Sequence, residues 1–77
     1  MTVSTIAEQV QRAMPTTLPP PSVRRALRSG AGLSQSELAA VLGVTRACIA
    51  RYEGGQREPR GELRTAYAEA LRAILRG

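Results

Sequence analysis

Seventy-seven residues make one small domain. A chain of this size buries only about 60% of its unfolded surface, which leaves no room for a catalytic cleft beside a scaffold. Eleven basic residues, all of them arginine, against six acidic ones give a formal charge of +5, a balance that favours a polyanionic partner.

The same composition narrows the chemistry further. With Cys48 as the single cysteine and no histidine, neither an intramolecular disulfide nor a zinc site is expected. No serine or cysteine has a plausible base near it, and no carboxylate pair suggests a cleft, so catalytic residues, metal ligands and cofactors are all expected to be absent. Codon bias of a high-GC genome is the plainer reading of the arginine usage, and selection for the bidentate guanidinium fork is the alternative at two or three sites. There is no signal-peptide pattern and no run of about 18 apolar residues, so the expected location is a reducing cytoplasm rather than a membrane.

Residues 4–14 read as a short amphipathic helix. Thr5 can cap it with Glu8 in the capping-box position, and Ile6, Val10 and Met14 fall at i, i+4 and i+8. At that length a helix is marginal alone, so it must pack on the domain, a second subunit or a partner, or else fray. The proline-rich run from Met14 to Pro21 then breaks it and suggests an extended spacer, an ordinary ragged terminus being the alternative. These features divide the chain into residues 1–19, an N-terminal helix and linker, and residues 20–77, a folded domain.

Pro20 or Pro21 can occupy the first turn of a helix running to about Gly30, with Val23, Leu27 and Ala31 facing the core. Gly30 and Gly32 bracket the following turn. They lack the third glycine and the preceding strand of a dinucleotide loop.

Between Gln35 and Gly54 two short apolar stripes, Leu38, Ala39 and Leu42, then Ile49 and Tyr52, flank a turn at Gly43. Ser34 with Glu37 forms a capping box for the first helix, and Thr45 can cap the second. Gly43 stands where the chain must reverse through a left-handed conformation, and Ala39 is small where the helices must cross. With Ile49 and Tyr52 inward, the opposite face of the second helix presents Arg46, Ala47, Ala50 and Arg51. Cys48 lies between the two faces and reads as a small packed residue more than as a redox sensor.

Pro59 is expected to open the last helix, along which Leu63, Ala66, Tyr67, Ala70, Leu71, Ile74 and Leu75 keep helical period to Gly77. Glu58 and Glu62 read as negative charge at its start, and Arg72 and Arg76 as positive charge at its end. Leu71, Ile74 and Leu75 extend past what a four-helix core covers, which leaves them for a homodimer partner, with Ile6, Val10 and Met14 as a further candidate surface.

The order Leu38-Ala39, Leu42-Gly43-Val44, Ile49 and Tyr52, with Gly32 to Gln35 upstream and Glu53 to Pro59 downstream, resembles the Cro/repressor-type (Xre-like) helix-turn-helix proteins over roughly residues 22–71. The resemblance implies an all-α, four- to five-helix lambda-repressor-like domain, here with an extra N-terminal helix and a long C-terminal one. It implies a partly buried ion pair between Arg28 and Glu53. It also implies that Gln35 holds a backbone phosphate and braces the first residues of the recognition helix, and that Gly55, Gln56 and Arg57 belong to a phosphate-contacting loop. Two departures stand out. Arg24 replaces an apolar residue, which suggests that Val23 takes over its packing role, and the last helix runs on where relatives often turn.

An α-helix fits the major groove of B-DNA, so Arg46, Ala47, Ala50 and Arg51 are the candidate base contacts. Phosphate contact or plain solvation remains the alternative for the two arginines. Gln35, Thr45, Gly55, Gln56 and Arg57 are the candidate phosphate contacts. The expected function is a sequence-specific regulator of transcription, a repressor by preference, bacterial or phage-encoded, that binds a two-fold symmetric operator on double-stranded DNA as a homodimer. Two rivals stay open: an antitoxin or accessory repressor that uses residues 1–21 to hold a partner protein, and an adaptor bound to polymerase.

Overall fold

The computed structural model describes residues 17–77. Four helices account for the described chain after residue 20: α1 (Pro21–Gly30), α2 (Gln35–Leu42), α3 (Arg46–Glu53) and α4 (Gly61–Arg76), with no strand among the described residues. The helix expected over residues 4–14, with Ile6, Val10 and Met14, lies outside them.

Local chemistry sets most of the boundaries. Pro21 begins α1, where its missing N–H costs nothing. Ser34 Oγ accepts from the Glu37 N–H at 3.0 Å while the Ser34 N–H donates to Glu37 Oε1 at 2.9 Å, a reciprocal capping box. The Ser34 N–H, and after it the Ser34 side chain, hold the Glu37 carboxyl below the usual carboxylate range. Gly43 ends α2 at φ +70°, a conformation in which a side chain is strained. Thr45 Oγ1 accepts from the Cys48 N–H at 3.2 Å and starts α3. α3 stops in a Schellman turn, with the Gln56 N–H reaching the Arg51 carbonyl at 3.0 Å across Gly55 at φ +73°.

α2 and α3 pack as the expected pair, and α1 and α4 close over them around Leu38, Ala39, Ile49, Tyr52, Tyr67 and Leu71. The Tyr52 and Tyr67 rings meet at 5.9 Å between centroids, tilted by 37°. α4 is one unbroken helix of 16 residues. It starts two residues later than expected, because Pro59 is buried in the preceding loop and Arg60 takes the N-cap position.

Three packing expectations change. Val23 is 41% exposed and Ala31 is also exposed, so of the three residues assigned inward on α1 only Leu27 packs on the core. Arg24 is buried in their place. Leu71 is 2% exposed within the chain's own core and is withdrawn from any dimer surface, while Ile74 packs partly on the core and Leu75 is open to solvent. Leu18 packs on the same core, so the domain's own packing begins before Pro20.

Tyr67 is fully buried and its hydroxyl finds no hydrogen-bond partner among the described residues. Burial is the first cause that pushes its phenol up to about 12, with the Glu53 carboxylate adding to it. A raised acid favours the folded protein below the unfolded value near 10, and the advantage disappears as pH rises through the folded value. Tyr67→Phe removes an unpaired buried hydroxyl and keeps the ring, so urea unfolding at pH 7 should give a stability within about 1 kcal/mol of the parent, or above it. The loss of stability between pH 10 and 12 should become shallower in the same variant. A steep loss of stability at pH 7 would mean that the hydroxyl is paired after all.

Candidate nucleic-acid interface

The site is built on α3. Its apolar residues Ile49 and Tyr52 are buried against α2 and α4, and this fixes which way the rest of the helix points. Arg46, Ala47 and Arg51 are exposed, Ala50 is half-buried, and Cys48 packs partly on the core. Neither Arg46 nor Arg51 enters an ion pair among the described residues, whereas Arg24, Arg28 and Arg64 do. Two exposed forked donors therefore flank a pair of short side chains on one outward helix face.

Eight residues are too few for a helix to hold itself in place, so its orientation must come from tertiary contacts. Two arginines one turn apart on α1 supply them at its C-terminal end. Arg28 Nε donates to Glu53 Oε2 at 2.6 Å and Nη2 donates to Oε1 at 3.1 Å, a bidentate pair between a nearly buried guanidinium and a buried carboxylate. Arg28 Nη1 also reaches the Leu33 carbonyl at 2.6 Å, which ties the loop before α2 into the same knot. The hydrogen bonds it donates to Glu53 raise the Arg28 guanidinium above its ordinary value, more than burial lowers it.

Arg24, expected only as a departure from an apolar position, is the second clamp. Only 4% exposed, it donates from Nη1 to the Tyr52 carbonyl at 3.2 Å, from Nε to the Pro19 carbonyl at 2.8 Å, and from Nη2 to Glu58 Oε2 at 2.8 Å. Its guanidinium carbon lies 6.0 Å from the centre of the Tyr67 ring. A cation at a helix C-terminus complements the dipole there, and this one satisfies a carbonyl that the end of α3 leaves over. Glu58 is thus a partner of Arg24, and of Arg64 at 3.8 Å, instead of a charge at the start of α4; Glu62 does lie in that first turn. The i, i+4 spacing of Arg24 and Arg28 astride Leu27 was the available signal that both share one inward face.

Gln35 sits at the start of α2, as expected, but its side chain runs elsewhere. Gln35 Nε2 donates to Glu53 Oε1 at 3.1 Å, so it braces the last residue of α3 and not the first ones. Thr45 is exposed while its hydroxyl caps α3, and Gly55, Gln56 and Arg57 form an exposed turn directly after it. The exposed N-terminus of α3, the outward arginines and this turn lie along one helix.

Among the described residues no helix is long and apolar enough to cross a membrane. Searches of the curated proteins and of the solved structures returned no match. A family model described as helix-turn-helix matches residues 23–73, which is most of the chain and includes both arginine clamps, the Gly43 turn and all of α3. With that match and an all-helical fold whose paired α2 and α3 present an outward basic face, the chain belongs to the Cro/repressor-type (Xre-like) helix-turn-helix family of DNA-binding regulators.

Proposed function

We propose that this protein is a sequence-specific regulator of transcription that inserts α3 into the major groove of double-stranded DNA, as a homodimer on a two-fold symmetric operator. The observation that carries the reading is the outward face of α3, where Arg46 and Arg51 are exposed and have no ion pair among the described residues, while Glu53, Arg28 and Arg24 immobilise the helix behind them. Guanine offers O6 and N7 to a guanidinium fork, and such a contact is worth about 1–3 kcal/mol of discrimination. Ala47 and Ala50 let the backbone approach, and either methyl can meet that of thymine.

Gln35, Thr45, Gly55, Gln56 and Arg57 set the register by contacting phosphates. A helix N-terminus such as that of α2 favours an anion, which supports a phosphate beside Gln35. Of the expected dimer residues, Leu71 belongs to the chain's own core, Ile74 is partly packed on it and Leu75 is exposed, and two copies would place their α3 helices in successive major grooves about 34 Å apart. Occupying a promoter excludes polymerase, so repression is the simplest consequence, and a cytoplasmic, nucleoid-associated location follows from it.

Selection of binding sites from random duplex DNA tests the reading. A recovered motif with two-fold symmetry and guanines in each half-site is expected. Binding to that motif should weaken by about 10³–10⁵ between 50 and 200 mM salt if about 6–10 phosphates are contacted. Recovery of no motif, with weak and salt-insensitive binding, would favour a protein-binding adaptor.

A further inference from the structure

One apolar surface of the domain has no role in holding or presenting α3. A groove of about 460 Å³ runs between α1 and α4, lined by Leu18, Val23, Leu27, Leu71 and Leu75 with Thr17 at its edge, and none of its lining residues comes from α2 or α3. Val23 is 41% and Leu75 67% exposed there, large apolar side chains that a small domain would otherwise cover.

We infer that residues 1–16 fill this groove within the same chain, with Ile6, Val10 and Met14 packed against Val23, Leu27 and Leu75. The described chain enters at the groove itself, since Thr17 and Leu18 line it. Met14 is only three residues upstream of Thr17, a reach of about 10 Å. From Ile6 to Met14 a helix would span roughly 12 Å, close to the roughly 10 Å of α4 between Ala68 and Leu75 that forms one wall. A segment tethered so closely has an effective concentration on the order of millimolar, which a separate copy of the chain does not reach at ordinary protein concentrations. Leu75 is then covered in the chain's own fold. A second copy is left with Ile74, which points about 100° away from Leu75 around the helix.

The full chain, labelled with carbon-13 at its methyl groups, tests this by nuclear Overhauser contacts. Contacts from Ile6, Val10 or Met14 to Val23 and Leu75 are expected in the uniformly labelled protein. They should be absent from a filtered experiment that detects only contacts between a labelled and an unlabelled chain. In Leu75→Glu, where the altered side chain is mostly exposed and the core is untouched, the Ile6 and Val10 methyl signals should move while the Tyr67 ring signals stay. Lack of any contact between the segment and the groove would overturn the inference. So would contacts that appear only between chains, which would make a second copy the occupant.

Discussion

Glu53→Ala should remove about 3–5 kcal/mol of stability, the usual consequence of leaving one member of a buried ion pair behind. For a domain of this length that is a fall in melting temperature on the order of 15–30 °C, a large share of the roughly 5–15 kcal/mol that holds a domain together. The size follows from how much converges on one carboxylate. Glu53 takes two hydrogen bonds from Arg28 and one from Gln35, so it joins α1, α2 and α3. Its loss leaves the Arg28 guanidinium nearly out of water with the Leu33 carbonyl as its one remaining partner among the described residues. Thermal unfolding followed by circular dichroism measures the change. The double variant Arg28→Met with Glu53→Leu should recover part of the loss, because an apolar pair needs no partner for a buried charge. If Glu53→Ala costs under about 1 kcal/mol, the pair is not the anchor of α3.

Arg51→Ala should lower affinity for the selected operator by about 5–150-fold, the equivalent of one bidentate guanine contact. Affinity for unrelated duplex should fall far less. The side chain is exposed and has no ion pair among the described residues, so its removal should leave the melting temperature unchanged. Arg57→Ala is the comparison that makes the result diagnostic. A residue on the turn after α3 that meets only phosphate should weaken specific and non-specific binding alike and reduce the salt slope by about one. Equal losses on both kinds of DNA in Arg51→Ala would reassign that arginine to the backbone. Fluorescence anisotropy at two salt concentrations separates the cases.

The two results bear on different layers of one device. Arg28 and Arg24 grip α3 from behind at its C-terminal end, and Thr45 caps its N-terminal end, so the outward residues inherit a fixed orientation. Arginines on the two sides of the helix therefore do unlike work. Those behind are paired and buried, and those in front are exposed with no ion pair among the described residues. A charge total of +5 cannot distinguish them.

The parts of the fold that were legible in the residues are those decided within a few positions along the chain. The Ser34–Glu37 box, the Thr45 cap and the left-handed Gly43 each depend on neighbours three or four residues away, and so their chemistry is written locally. The inward turn of Ile49 and Tyr52 followed from helical period alone. Pairing of Arg28 with Glu53 was implied only by resemblance, since 25 residues separate them.

Distance along the chain is also why the other assignments failed. Arg24 departs from an apolar pattern and Val23 beside it has the chemistry of a core residue, yet the arginine is the buried one. Its partners Tyr52 and Glu58 lie 28 and 34 residues away, and only their convergence makes a buried guanidinium tolerable. Gln35 turned to the far end of α3 because Glu53, 18 residues on, offered a carboxylate oxygen there. Leu71 kept the period that suggested an interface, but period reports a face and not what covers it. By itself the sequence determined α1 to α3, the caps of α2 and α3 and the outward face of α3, through contacts a few residues long. Which arginines hold that face and which present it was decided only when the helices closed on one another, because burying a charge depends on partners that folding alone brings together.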